Sequence, residues 1–100
     1  MGKNTPIVLK YLDISTGHIT KKDNKLLAKG IESLVYDPYP YGYRVHVNQE
    51  DLMDDLLSMR RAGLSKYFRD IIKWAYKKDM DWVQFDIDGP TYPKFKTFNW

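Results

Sequence analysis

Apolar positions along the chain fall into blocks whose period switches between two and about three and a half. The first block, Pro6-Ile7-Val8-Leu9-Lys10-Tyr11-Leu12-Asp13-Ile14, is β-branched and apolar and has the length of a buried strand. A polar turn, Ser15-Thr16-Gly17-His18-Ile19, follows. Thr20 then opens a helix, because Asp23 stands three residues on and the two side chains can each satisfy a free backbone N–H. Leu26, Leu27, Ile31 and Leu34 keep helical spacing to about residue 34, with Gly30 weakening the last turn. Tyr36-Asp37-Pro38-Tyr39-Pro40-Tyr41-Gly42 excludes a regular helix or a central strand, since proline lacks the N–H that either needs. This stretch is read as a loop. Tyr43, Val45 and Val47 alternate with Arg44 and His46, the period of a strand with one buried face.

Two helices come next. Asn48 caps the first, with Asp51 three positions later, and Leu52, Met53, Leu56, Leu57 and Met59 supply its apolar side. Gly63 is placed to end it in the left-handed conformation. Ser65 caps the second, whose stripe is Leu64, Phe68, Ile71, Ile72 and Ala75, and Lys77 and Lys78 complement the dipole in its last turn. A strand over 82–88, a turn around Gly89-Pro90 and a final strand over 95–100 complete the chain. The predicted order is β-α-β-α-α-β-β. It implies an α+β fold with a mixed sheet of about four strands and helices packed mainly on one face.

Composition bounds the rest. One hundred residues, 43% hydrophobic and 15% aromatic, suit a single globular domain over 1–100 with its own core. Without cysteine there is no disulfide framework, zinc–thiolate site or thiol nucleophile, which fits a reducing cytoplasm. No apolar run reaches the roughly 18 residues of a membrane span. MGKNTPIVLK carries a lone Lys and no long apolar segment, so no signal peptide is expected, and Pro6 breaks the myristoylation pattern. The net charge of +3 is mild, but it is segregated. Glu50, Asp51, Asp54 and Asp55 form an acidic block, while Arg60, Arg61, Lys66, Arg69, Lys73, Lys77 and Lys78 form a basic run. That run is either a solvated helix surface or a strip for an acidic partner or nucleic acid.

Three groups of residues could carry chemistry. Asp86-Ile87-Asp88-Gly89 after an apolar strand resembles the opening motif of haloacid-dehalogenase-type phosphatases. The resemblance fails beyond it, because Pro90 stands where Thr or Val is usual and only twelve residues follow Asp88. In strand alternation Val83, Phe85 and Ile87 point inward, and Trp82, Gln84, Asp86 and Asp88 outward. The pair therefore reads first as a strand end and turn, with a weak cation site as the alternative. His18 stands among Ser15, Thr16 and Thr20 at a strand end. There it could work as an acid/base with Asp86 and Asp88 in a small metal-dependent hydrolase, although Ser and Thr before a helix are ordinary caps. His46 reads as structural. Neither histidine has metal-ligand spacing to other candidates, so no metal or cofactor is expected. Tyr36, Tyr39, Tyr41 and Tyr43 are dense enough for a recognition loop or for capping a small core. The outward side of the sheet is either solvated or a homodimer interface with Trp82 at its centre.

"LDISTGHIT" at 12–20, "GLSKYFRDIIKWA" at 63–75, and "DWVQFDIDGP" with the terminal "FNW" together resemble a family of small uncharacterised bacterial proteins carried on plasmids, integrative elements and phages. The resemblance spans nearly the whole chain and implies context rather than residues: an accessory protein of a mobile element, in the bacterial cytoplasm, working through protein–protein contact. The first expectation is thus a non-enzymatic module that binds a protein partner through the Tyr/Pro segment, with Arg60, Arg61 and Lys73 as a second contact area. Nucleic-acid binding by the basic run is the other binding alternative.

Overall fold

The computed structural model describes residues 5–100. Residues 1–4, part of the stretch read against a signal peptide and myristoylation, lie outside the described residues. The elements are β1 (Tyr11–Ser15), a 3₁₀ turn (Thr16–His18), α1 (Lys21–Lys29), β2 (Tyr36–Tyr39), β3 (Gly42–His46), α2 (Leu52–Arg61), α3 (Lys66–Lys77) and β4 (Trp82–Asp86). The strands form one mixed sheet in the order β1-β4-β3-β2, with β1 parallel to β4 and the other pairs antiparallel. The fold class is α+β, as the hydrophobic pattern predicts. No helix among the described residues is long and apolar enough to cross a membrane.

The core lies on one side of the sheet. Leu12, Ile14, Tyr43, Val45, Val83 and Phe85 are buried at alternate strand positions. Against them α3 lays Phe68, Ile71, Ile72 and Ala75, all fully buried, and the Phe68 and Phe85 rings stack with centroids 5.2 Å apart. Each such large apolar side chain contributes about 1.5–3 kcal/mol by leaving water. Helix α2 offers Met59 to this core, with Leu52 and Leu56 partly buried against it. Met53 is 76% exposed and Leu57 42%, because only the 52–56–59 stripe faces inward.

The caps tie the helices together. Thr20 Oγ1 accepts from the Asp23 amide while an Asp23 carboxylate oxygen accepts from the Thr20 amide, the reciprocal pair that the sequence predicts. Buried Asp23 also accepts from the amide and hydroxyl of Ser65, the cap of α3, at 2.8 and 2.6 Å. One carboxylate thus serves the positive ends of two helices. Asp51, rather than Asn48, caps α2; Asn48 instead accepts from the Glu50 and Asp51 amides in the preceding turn. Gly63 has φ 96°, the left-handed residue expected after α2.

Helix α1 ends at Lys29, with Gly30 at φ 113°, and not near residue 34 as its apolar spacing predicts, and three further expectations change. The strand expected over 6–14 begins only at Tyr11. Ile7, Val8 and Leu9 are exposed because β4, its partner, starts opposite Tyr11 and leaves them nothing to pair with. The Tyr/Pro segment is not a loop but an edge strand and hairpin. The Val35 carbonyl accepts from the His46 amide at 3.0 Å, which sets the ladder alternation. Pro38, opposite Tyr43, then falls at a non-bonded pair, and its missing N–H faces the free edge.

The third change concerns the final strand, which is absent; the fourth strand of the sheet is β2. Residues 90–100 instead strap the outer side of β1. Ser15 donates to the Pro90 carbonyl at 2.8 Å and Phe98 donates to the Gly17 carbonyl at 2.7 Å. The strap advances eight residues while its partner advances two, so it loops outward instead of forming a ladder, and His18 fills the loop.

Candidate binding surface

Register fixes which side chains meet on the helix-free side of the sheet. Tyr11 lies beside Trp82, and Trp82 beside His46. Asp13 lies beside Gln84, Gln84 beside Arg44, and Arg44 beside Asp37. Ser15 lies beside Asp86, then Gly42, then Tyr39. Three rows result, one aromatic and two polar, because same-face neighbours on adjacent strands sit within side-chain reach.

The rows are held by their own bonds. The His46 ring meets Trp82 edge-on at 5.1 Å. Arg44 Nε donates to Gln84 Oε1 at 2.9 Å, and Gln84 Nε2 donates to Asp13 Oδ1 at a longer 3.3 Å. The Arg44 guanidinium lies 4.5 Å from the centre of the Tyr39 ring. The Tyr39 hydroxyl donates to Asp86 Oδ2 at 2.6 Å, reaching past Gly42, which has no side chain to block it. Gly42 is required for a second reason: a Cβ there would lie 1.7 Å from the Phe85 carbonyl oxygen. The Tyr39 bond, the Asp88 amide and the Arg44 charge hold the Asp86 carboxyl below the ordinary carboxylate range. Burial, then the bond to Asp86 and its charge, push the Tyr39 phenol well above its usual value. Leu9, Tyr11, Asp37, Arg44, Trp82 and Gln84 enclose a depression of about 370 Å³ on this side.

The Asp86/Asp88 pair is a strand end and turn. Asp86 Oδ1 accepts from the Asp88 amide at 2.8 Å, and the Asp86 carbonyl accepts from Gly89 at 2.9 Å. Asp88 and Ile87 are exposed, so the inward alternation stops at Phe85. Gly89 lets this turn lie on β1: a Cβ would come within 2.7 Å of the Ile14 carbonyl.

His18 is fully buried. Its Nε2 accepts from the Tyr92 amide at 2.9 Å, and Nδ1 lies 2.8 Å from the Lys96 carbonyl oxygen. A backbone N–H can only donate, so Nε2 carries no proton; Nδ1 therefore carries it and donates to Lys96. Both ring nitrogens are engaged by the strap, and both Asp86 oxygens by Tyr39 and Asp88. His18 and Asp86 thus spend their polar atoms inside the fold, and Asp88 is an exposed turn residue whose amide is bonded to Asp86. Among the described residues no three His, Cys, Asp or Glu side chains are grouped to hold a metal ion.

The tyrosines divide by strand parity. Tyr36 donates to the Leu27 carbonyl at 2.6 Å and accepts from the Ile31 amide, while buried Tyr43 bonds to Asn24. These two hydroxyls pin α1 to the hairpin. Tyr39 joins the open face, and Tyr41, 56% exposed, stands at the hairpin tip. The cations divide as well. Arg60 and Arg61 occupy the last turn of α2, whereas Lys73 lies on the exposed side of α3. The sequence pattern alone does not mark Tyr11, Gln84 and Arg44 as binding residues. Their alternation with buried residues was the available signal, but the strand order that makes them neighbours was not.

Neither the curated proteins nor the solved structures include a match to the chain. A family model does match, over residues 11–100, from the first residue of β1 through the strap; it describes the C-terminal domain of a family of unknown function (DUF5983), and the chain belongs to that family.

Proposed function

We propose that this protein is a non-enzymatic binding module, an accessory protein of a bacterial mobile element, which engages a protein partner in the cytoplasm through the open face of its sheet. One observation carries the reading: Trp82 and Tyr11 form an aromatic floor beside polar side chains that already bond one another. A surface fixed before contact loses little side-chain freedom on binding, and buried Trp and Tyr are the usual energetic anchors of interfaces. Its charge indicates the partner's chemistry. Among the described strand positions of the face, Asp13, Asp37 and Asp86 stand with Arg44 as the one Lys or Arg, and Arg44 is engaged by Gln84 and Tyr39. The fitting partner presents an apolar side chain to the depression, flanked by Lys or Arg. Engagement of both His18 ring nitrogens by the strap, and of both Asp86 oxygens by Tyr39 and the Asp88 amide, supports the non-enzymatic part of the reading.

The test is affinity capture from nuclease-treated bacterial lysate with wild type, Trp82→Ala and Tyr11→Ala, read by mass spectrometry. A stoichiometric protein held by wild type and lost with either variant is expected, since a hot-spot truncation costs about 2 kcal/mol or more, roughly 30-fold. Capture indifferent to both substitutions would overturn the reading. Sedimentation of the purified protein separates out the homodimer reading of the same face: a dimer dispersed by Trp82→Ala would make the partner a second copy.

A further inference from the structure

On the other side of the molecule a groove runs between α3 and the strap. Lys66, Lys73 and Lys77 come round to one side of α3, because seven and eleven residues are close to two and three helical turns; they spread over about 16 Å of its axis. The strap adds Lys94 and Lys96. These lysines are exposed, and Asp70 is the only carboxylate among the described residues that line two adjoining depressions of about 200 and 300 Å³. Between the cations stand half-buried aromatic rings: Tyr67 and Trp74 from α3, and Phe95 from the strap. Ammonium groups rest over these rings: Lys96 at 5.5 Å from Tyr67 and Lys94 at 6.0 Å from Phe95 in the groove, and Lys78, outside its lining, at 5.9 Å from Trp74.

We propose that this groove binds single-stranded nucleic acid. Lysine is a mobile point charge, suited to phosphates without fixed geometry. An exposed cation–π contact is weak enough for a phosphate to draw the ammonium away and uncover the ring. Cations interleaved with aromatic faces match a chain that alternates phosphates with bases, which is how sequence-tolerant single-strand binders work. An acidic peptide would use the lysines and leave the rings unmatched. A duplex keeps its base faces stacked and could use only the charge. Arg60 and Arg61, cations of the same basic run, do not line the groove.

The test is fluorescence anisotropy with a labelled oligothymidylate of about twelve nucleotides, in salt from about 50 to 200 mM. Engagement of five lysines gives a slope of log K against log salt near −3.5, at about −0.7 per neutralised phosphate. Joint Lys73→Gln, Lys94→Gln and Lys96→Gln substitution makes the slope shallower by about 2, whereas Arg60→Gln with Arg61→Gln changes it by less than about 0.7. All five positions are exposed, and circular dichroism verifies that the variants fold. A slope shallower than about −1 would overturn the proposal, as would a triple variant that binds like wild type. So would a polyglutamate peptide of matching charge that binds equally well, which would reassign the groove to an acidic protein segment, or a duplex that binds more tightly than the single strand. Nuclease-resistant capture through the open face does not depend on these lysines, so each proposal can fail without the other.

Discussion

Replacing His18 with alanine separates a structural histidine from a chemical one. The substitution removes a fully buried ring and both of its bonds to the strap. If the strap stayed in place, the Tyr92 amide and the Lys96 carbonyl would each lack a partner, at about 1–3 kcal/mol apiece, above a cavity the size of an imidazole. Release of the strap would let water reach those groups but would give up the Phe98 and Trp100 bonds to Gly17 and Ile19 and the packing of Phe95. Either route costs about 3–4 kcal/mol, a large share of the 5–15 kcal/mol typical of a domain. With a urea dependence near 1.5 kcal/mol per M, the midpoint falls by about 2 M or more. Hydrogen exchange locates the damage: the Ser15 and Phe98 amides, which close the strap on β1 and the turn after it, lose protection before the amides of α3. His18→Asn places an amide near the former Nδ1, keeps the contact to Lys96 and recovers part of the loss. A midpoint within about 0.5 M of wild type, with Phe98 protection unchanged, would refute the account of His18 as a clip.

Further outcomes follow from single atoms. Asp23→Ala leaves the Thr20 amide and the Ser65 amide and hydroxyl without their acceptor, and is expected to cost about 3 kcal/mol by urea unfolding; a cost below about 1 kcal/mol would show that the two helix ends do not depend on it. Gly89→Ala pushes a methyl group into the Ile14 carbonyl, and a crystal structure will show the 86–90 turn displaced from β1, with thermal stability reduced; an unmoved turn at full stability would contradict the close approach. Tyr39→Phe removes the leading cause of the low Asp86 value, so the carboxyl carbon of Asp86 titrates at higher pH by NMR than in wild type. The sign is fixed: Asp86 binds its proton less readily folded than unfolded, so its contribution is present above the unfolded carboxylate range and lost as pH falls through the folded value. Unchanged titration in Tyr39→Phe would remove that bond as the cause.

Much of the frame was legible because local signals agreed with one another. The stripe of α3, the Thr20/Asp23 and Ser65 caps, Gly63 and the alternation of β3 and β4 each reappear where residue type and period place them. What could not be read depended on partners. Ile7, Val8 and Leu9 have strand chemistry but no strand opposite. Phe95 and Phe98 have strand chemistry too, yet the loop round His18 takes them out of register. Pro38 argued against a strand until the ladder showed its nitrogen turned to the free edge. For the surface, the same gap appears as parity. Tyr36, Tyr39, Tyr41 and Tyr43 look alike in sequence, and only pairing of Tyr36 with Val45 sends Tyr36 and Tyr43 to the core and Tyr39 to the opposite side. Lys94 and Lys96 were invisible as groove residues for a similar reason: their place depends on the strap crossing beside α3.

The pairing of β1 with β4 has a kinetic consequence. Its backbone partners lie 71 positions apart, and the strap's bonds from Tyr92 to His18 and from Trp100 to Ile19 join residues 74 and 81 apart. Among the described residues no strand nearer in the chain pairs with β1, so its ladder is expected to close only after the β3–α2–α3–β4 unit exists, with the loop-closure entropy met late. The expected order of assembly is hairpin and helices first, β1 and strap last, which pulse-labelled hydrogen exchange checks through late protection of the β1 amides. Native-state hydrogen exchange is expected to show the same boundary opening before the core of α3.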